Sequence, residues 1–121
     1  MDKSSEVKKL VNTIFEAIEQ KQGNNTTIIE FTPEITTICD YFVITDAQSE
    51  RQVKAISDFI QEFVKKNLNL KPVHIDGQLL SQWIVLDYVD VIVHIFLDQT
   101  REFYAIEKLW ADATFYNKPL N

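Results

Sequence analysis

Between Trp83 and Phe96 the chain carries two apolar, β-branched runs, Ile84–Leu86 and Val91–Phe96, separated by Asp87-Tyr88-Val89-Asp90. Such a pair specifies a β-hairpin, and the rest of a short chain must pack around it. With Tyr88 and Val89 as the loop residues, Asp87 faces Asp90, Leu86 faces Val91, Val85 faces Ile92, Ile84 faces Val93 and Trp83 faces His94. Two aspartates directly opposite destabilise the pair by roughly a few tenths of a kcal/mol. A two-residue turn also needs φ > 0 at Val89, which a β-branched side chain resists. Departures from local folding rules concentrate at functional or strained sites, so the tip is a candidate contact site. Solvated turn residues are the other reading of the two aspartates.

The remaining elements follow from periodicity. Val7, Leu10, Val11, Ile14 and Ile18 recur at helical spacing, predicting a helix over residues 4–21 capped by Ser4 or Ser5 and stopped at Gly23. Thr26–Phe31 reads as a first strand, Pro33 interrupts, and Tyr41–Thr45, apolar on both faces, reads as a central strand. Ser49 and Gln52 form a capping-box pattern opening a second helix with Val53, Ile56, Ile60, Phe63 and Val64 as its buried stripe. Val73-His74-Ile75 is a brief edge strand and Asp76-Gly77 a turn into the hairpin. Beyond Phe96 a loop over Leu97–Thr100 leads to a helical turn at Arg101–Tyr104 and a short helix ending at Trp110. The tail from Phe115 has no clear period and is expected to drape or fray. Helix, strand, strand, helix, strand, hairpin, helix predicts an α/β fold, a mixed sheet of about five strands with helices packed on it.

The 121 residues make one domain, and 45% hydrophobic content with 12% aromatics suits a packed core. The single cysteine, Cys39, excludes an internal disulfide framework. The polar start and the lack of an apolar run near roughly 20 residues predict a cytoplasmic protein without a membrane span. A net charge of −6 argues against a general nucleic-acid surface. From Asp76 onward seven acidic residues meet three basic ones, in the part that holds both tryptophans and three of the four tyrosines. Acidic groups among large aromatics suit a basic protein partner better than a phosphate backbone.

Chemistry is sparse. Two glycines, Gly23 and Gly77, leave no phosphate-cradling loop, and His74, His94 and Cys39 show no metal-ligand spacing. His94, mid-strand, reads as a structural imidazole, and Asp40 beside Cys39 disfavours a thiolate. Asp87 and Asp90 are the one pair that could share a metal, in a nucleotidyltransferase-like enzyme. Phe42, Phe59, Phe63, Phe96 and Phe103 read as core. Trp83, Tyr88, Tyr104 and Trp110 suit core and interface equally.

Four segments together resemble one family: Asp40-Tyr41-Phe42-Val43-Ile44; Ser49-Glu50-Arg51-Gln52-Val53; Trp83–Tyr88 with Asp90–Phe96; and Arg101-Glu102-Phe103-Tyr104 with Leu109-Trp110. From about Ile35 to Asp112 the chain resembles the ribosomal silencing factor RsfS, the Iojap family. The resemblance implies an α/β sandwich related to nucleotidyltransferases but without their catalytic set, and no cofactor. It implies binding to the large ribosomal subunit through ribosomal protein L-fourteen, blocking small-subunit joining and repressing translation. Members also take part in large-subunit maturation in organelles. By resemblance the contact residues are Trp83, Leu86, Asp87, Tyr88, Asp90, Tyr104, Glu107 and Trp110. The acidic members would meet basic side chains, and the rings would anchor. Tyr41, Ser49 and Gln52 match family positions but serve a strand start and a helix cap. Val89 stands where the family usually has glycine, which puts the tip conformation and the Asp87–Asp90 pairing in question. Exposed apolar surface in the C-terminal part is compatible with a weak homodimer.

Overall fold

A computed structural model describes residues 2–121. Helix α1 (Lys3–Gln20) is capped two or three residues earlier than its serines suggest, because Asp2 takes the cap: its Oδ1 accepts from the Ser5 N–H at 2.8 Å. An acceptor on the residue just before the first turn satisfies an otherwise orphaned amide. Strand β1 (Asn24–Glu30) and strand β2 (Tyr41–Ala47) pair antiparallel. Helix α2 (Glu50–Leu68) has Ser49 as its cap, Oγ accepting from the Gln52 N–H at 3.1 Å, and closes on left-handed Asn69. Strands β3 (His74–Asp76), β4 (Trp83–Asp87) and β5 (Val91–Leu97) follow. No loop separates β5 from the next helix: α3 (Asp98–Tyr104) begins at once and passes through Ala105 into a 3-10 helix, Ile106–Trp110.

The sheet has six strands in the order β3-β4-β5-β2-β1-β6, with β2 and β5 parallel and every other neighbour antiparallel. The sixth strand is the tail itself, β6 (Thr114–Tyr116), which pairs Ile28 with Tyr116 on the outer edge of β1. Beyond it Asn12 grips Leu120 in both directions, Nδ2 donating to the carbonyl at 2.9 Å and Oδ1 accepting from the N–H at 2.8 Å. The tail is therefore tied down at two places rather than fraying.

Helices α1 and α2 cover one face of the sheet. Val11, Ile14, Ile18, Ile56 and Ile60 meet Val43, Ile84, Leu86, Val93 and Ile95 there, all fully buried. The opposite face carries a second cluster under α3 and the 3-10 helix: Ile29, Phe31, Cys39, Ile44, Phe96 and Ile106. Between β3 and β4, Gly77 adopts φ +84° with the Trp83 carbonyl so near that a Cβ would lie 1.9 Å from its oxygen. No larger residue fits there without moving the β4 backbone.

The hairpin is where sequence and structure part. Trp83 pairs with Phe96, Ile84 with Ile95, Val85 with His94, Leu86 with Val93 and Asp87 with Ile92. The register is shifted by two residues from the expected one, so the loop is Val89-Asp90 and the aspartates do not oppose each other. A shift by two preserves which side chain lies on which face. Val89 does take a left-handed φ of +77°, and the Asp90 N–H donates to the Tyr88 carbonyl at 3.0 Å, closing a γ-turn. Asp87 Oδ1 accepts from the Val89 N–H at 2.8 Å, and the Asp90 carbonyl accepts from the Asp40 and Tyr41 N–H groups at 2.9 and 3.1 Å. These bonds over-determine a conformation that costs a β-branched residue about 1–3 kcal/mol. Val89 is exposed and loses little burial on truncation. Val89→Gly should therefore raise the unfolding free energy by about 1 kcal/mol, net of glycine's greater freedom when unfolded. Urea denaturation would show it as a higher midpoint at constant slope; a lower midpoint would show that the turn is not strained.

Candidate partner-binding face

Strand parity decides which expected contact residues can act together. Along β4, Trp83, Val85 and Asp87 point to the face away from α1 and α2, while Ile84 and Leu86 point under the helices. Leu86 is fully buried there, and Tyr88 is buried in the same cluster. Neither is available as a surface contact, which corrects the expectation drawn from the resemblance. Burial pushes the Tyr88 hydroxyl up to about 12, so it remains a neutral phenol at physiological pH.

Trp83, Tyr104 and Trp110 are brought together on the open face. Trp83 stacks on Phe96 with ring centroids 4.8 Å apart and meets Tyr104 at 5.0 Å. Trp110 stands edge-on to Phe31 at 5.0 Å, and Phe31 to Phe42 at 4.9 Å. His94 lies between the two groups, 4.5 Å from Phe42 and 6.0 Å from Trp83. The result is a continuous layer of rings rising from β2, β4 and β5 to α3 and the 3-10 helix. Its outer members are open: Tyr104 is 53% exposed, Leu109 74% and Phe103 80%. Phe103 was expected in the core. It lies on a seven-residue helix with no buried residue, and its side chain leaves the sheet.

His94 is a structural imidazole. The Trp83 indole Nε1–H donates to His94 Nδ1 at 3.1 Å, and since indole can only donate, Nδ1 is the bare nitrogen. Burial lowers the His94 pKa to about 4, keeping the ring neutral. Burial, and next to it the charge of Asp40, pushes the Cys39 thiol up to about 12. That holds it as a resting thiol.

The acidic residues are largely occupied within the chain. Asp87 caps the γ-turn, and Asp90 lies 3.3 Å from the Lys3 ammonium. Glu107 Oε2 accepts from Arg101 Nε at 3.0 Å. Arg101 is the residue that sequence reasoning passed over. It is the one arginine of the acidic C-terminal part, a signal that could have singled it out. No group of three or more His, Cys, Asp or Glu side chains among the described residues has metal-holding geometry. Among the same residues no helix is long and apolar enough to cross a membrane.

A mixed sheet sealed by two helices on one side and topped on the other by a half-open layer of rings defines an α/β domain that presents apolar surface. The chain belongs to the RsfS family: it matches the family described as "Ribosomal silencing factor during starvation" over residues 4–120. The ribosomal silencing factor RsfS of Halalkalibacterium halodurans is 30% identical over 105 residues, 87% of this chain and 88% of that one. A mouse protein named "Mitochondrial assembly of ribosomal large subunit protein 1" is 28% identical over 107 residues, 87% of this chain and 46% of its own length. A crystal structure of a Chromobacterium violaceum protein superposes with a TM-score of 0.80 at 28% identity, covering 85% of this chain and 84% of that one.

Proposed function

We propose that this chain binds the large ribosomal subunit in the cytoplasm through ribosomal protein L-fourteen and sterically blocks joining of the small subunit. The observation that carries the reading is the ring layer, with Tyr104 on Trp83, Trp110 joined to them through Phe42 and His94, and Phe103 and Leu109 exposed. Large rings half-buried on a rigid sheet bring much contact area at little loss of side-chain freedom, as interface anchors do. The family name supports silencing, and the name of the mouse relative ties a similar chain to the large subunit. Occlusion needs a firm footprint and no bond-making. The charge of −6 favours a basic protein partner over phosphate and speeds its encounter. A weak homodimer through exposed apolar surface belongs to the same reading, and sedimentation equilibrium at high protein concentration tests it.

The test is co-sedimentation with purified large subunits, followed by addition of small subunits. The protein should pellet with the large subunit, and the yield of whole ribosomes should fall. Tyr104→Ala and Trp110→Ala should each weaken binding by roughly 30-fold, the loss of a hot-spot ring worth about 2 kcal/mol. A protein left in the supernatant at micromolar concentration would remove this function.

A further inference from the structure

We propose that Arg101 is the positioning residue of the ring layer, setting the height and angle of the half that lies outside the sheet. The inference rests on the reading of that face as the docking surface. Helix α3 buries none of its own residues, and its N-terminus has no side-chain cap. Tyr104 at its C-terminal end rests on Trp83 at 5.0 Å, and that ring contact leaves the helix's place over β1 and β2 to be accounted for. The Arg101 side chain, only 11% exposed, accounts for it through four partners on three other elements. Nη1 donates to Asp46 Oδ2 on β2 at 2.9 Å and to the Asn25 carbonyl on β1 at 2.7 Å. Nη2 donates to Thr27 Oγ1 on β1 at 3.2 Å, and Nε to Glu107 Oε2 on the 3-10 helix at 3.0 Å.

The sequence is arranged to make that hub. β1 breaks register between Asn24 and Thr27, and Asn25 takes a left-handed φ of +51° there, presenting its carbonyl to the guanidinium. The Asp46 side chain is 6% exposed at the end of β2. A buried carboxylate is stable only with a cation or donors at hand. Phe103 and Tyr104 ride on the helix that carries Arg101, and Leu109 and Trp110 on the segment that Glu107 ties to it. The fork of donors matters: a lysine ammonium is a single point charge and cannot reach β1, β2 and Glu107 at once.

Arg101→Lys and Asp46→Asn test this, with Thr27→Val as the mildest change, removing one contact alone. The variants should keep wild-type far-ultraviolet circular dichroism. Amide exchange across residues 98–110 should rise at least about tenfold in the first two and by about two- to threefold in Thr27→Val, with the β4–β5 ladder unchanged. Large-subunit binding should weaken by about tenfold or more in Arg101→Lys and in Asp46→Asn, although the two side chains are only 11% and 6% exposed. The double variant should be no worse than the worse single one, because both act through one hub. Wild-type exchange over 98–110 in any folded variant, or wild-type affinity in the first two, overturns the proposal. If the wild-type protein itself fails to bind subunits, the docking reading falls, and the exchange measurement still decides what Arg101 holds.

Discussion

Leu86→Ala should lower the unfolding free energy by about 3 kcal/mol or more, within the range measured for emptying a buried leucine site. Leu86 is fully buried with Ile75 on one side and Val93 on the other in the sheet, and helix-side apolar residues above it. Neighbouring strands hold the backbone, so the site cannot collapse onto the missing carbons. In a domain of this size the midpoint of thermal unfolding should fall by about 10 °C. The folded fraction should still bind large subunits with wild-type affinity. Tyr104→Ala should do the reverse, leaving the midpoint nearly unchanged and removing affinity. Calorimetry and co-sedimentation on the two variants separate core from contact. A Leu86→Ala protein that unfolds like wild type but fails to bind would restore Leu86 as an anchor.

Acidification from pH 6.5 to 4 should cost the folded state about 3 kcal/mol through His94 alone. The His94 pKa falls from the ordinary 6.5 to about 4 on burial, so the folded chain refuses a proton that the unfolded chain accepts. Stability from this group is fully present above pH 6.5, is lost as pH falls through the window, and levels off below about 4. The same protonation would put a hydrogen on Nδ1, where the Trp83 indole N–H now donates. Two donors would then face each other. Denaturant unfolding at steps between pH 7 and 4.5 should give a steeper loss for wild type than for His94→Gln, which has no group titrating at that site. Equal slopes would show that the imidazole is not held neutral by burial. In a Trp110→Phe background, Trp83 emission reports the broken bond directly.

Much of the fold was legible because its signals are local. Both long helices, the position of the hairpin and the Ser49 cap follow from spacing within a few residues. The expected register differs by two because a loop at Tyr88-Val89 leaves out the Tyr88 N–H, which stays in the ladder with the Val91 carbonyl. Asp87 Oδ1 and the Asp90 amide hold Val89 in the turn at positive φ. The sixth strand left no trace, since three residues at Thr114–Tyr116 are too few for a period and only β1 makes them a strand. Parity along β4 could have told from sequence that Leu86 and Trp83 face opposite ways. The Arg101 hub could not be read, because Asn25, Thr27 and Asp46 reach it from the other end of the chain.

The single parallel seam, with Tyr41 opposite Val91, has a kinetic meaning. Helix α2, β3 and β4 all lie between those partners in the chain, so the seam demands a long loop closure, while the β4–β5 hairpin needs almost none. Phe31 and Phe42 arrive with the early half of the chain, and Trp83, His94, Phe96, Tyr104 and Trp110 with the late half. The ring layer exists only after the two halves have zipped. Its Arg101 strut likewise spans both. A partly folded molecule therefore lacks the proposed docking face, and under that proposal occupancy of the partner would be a proofread signal that folding has run to completion.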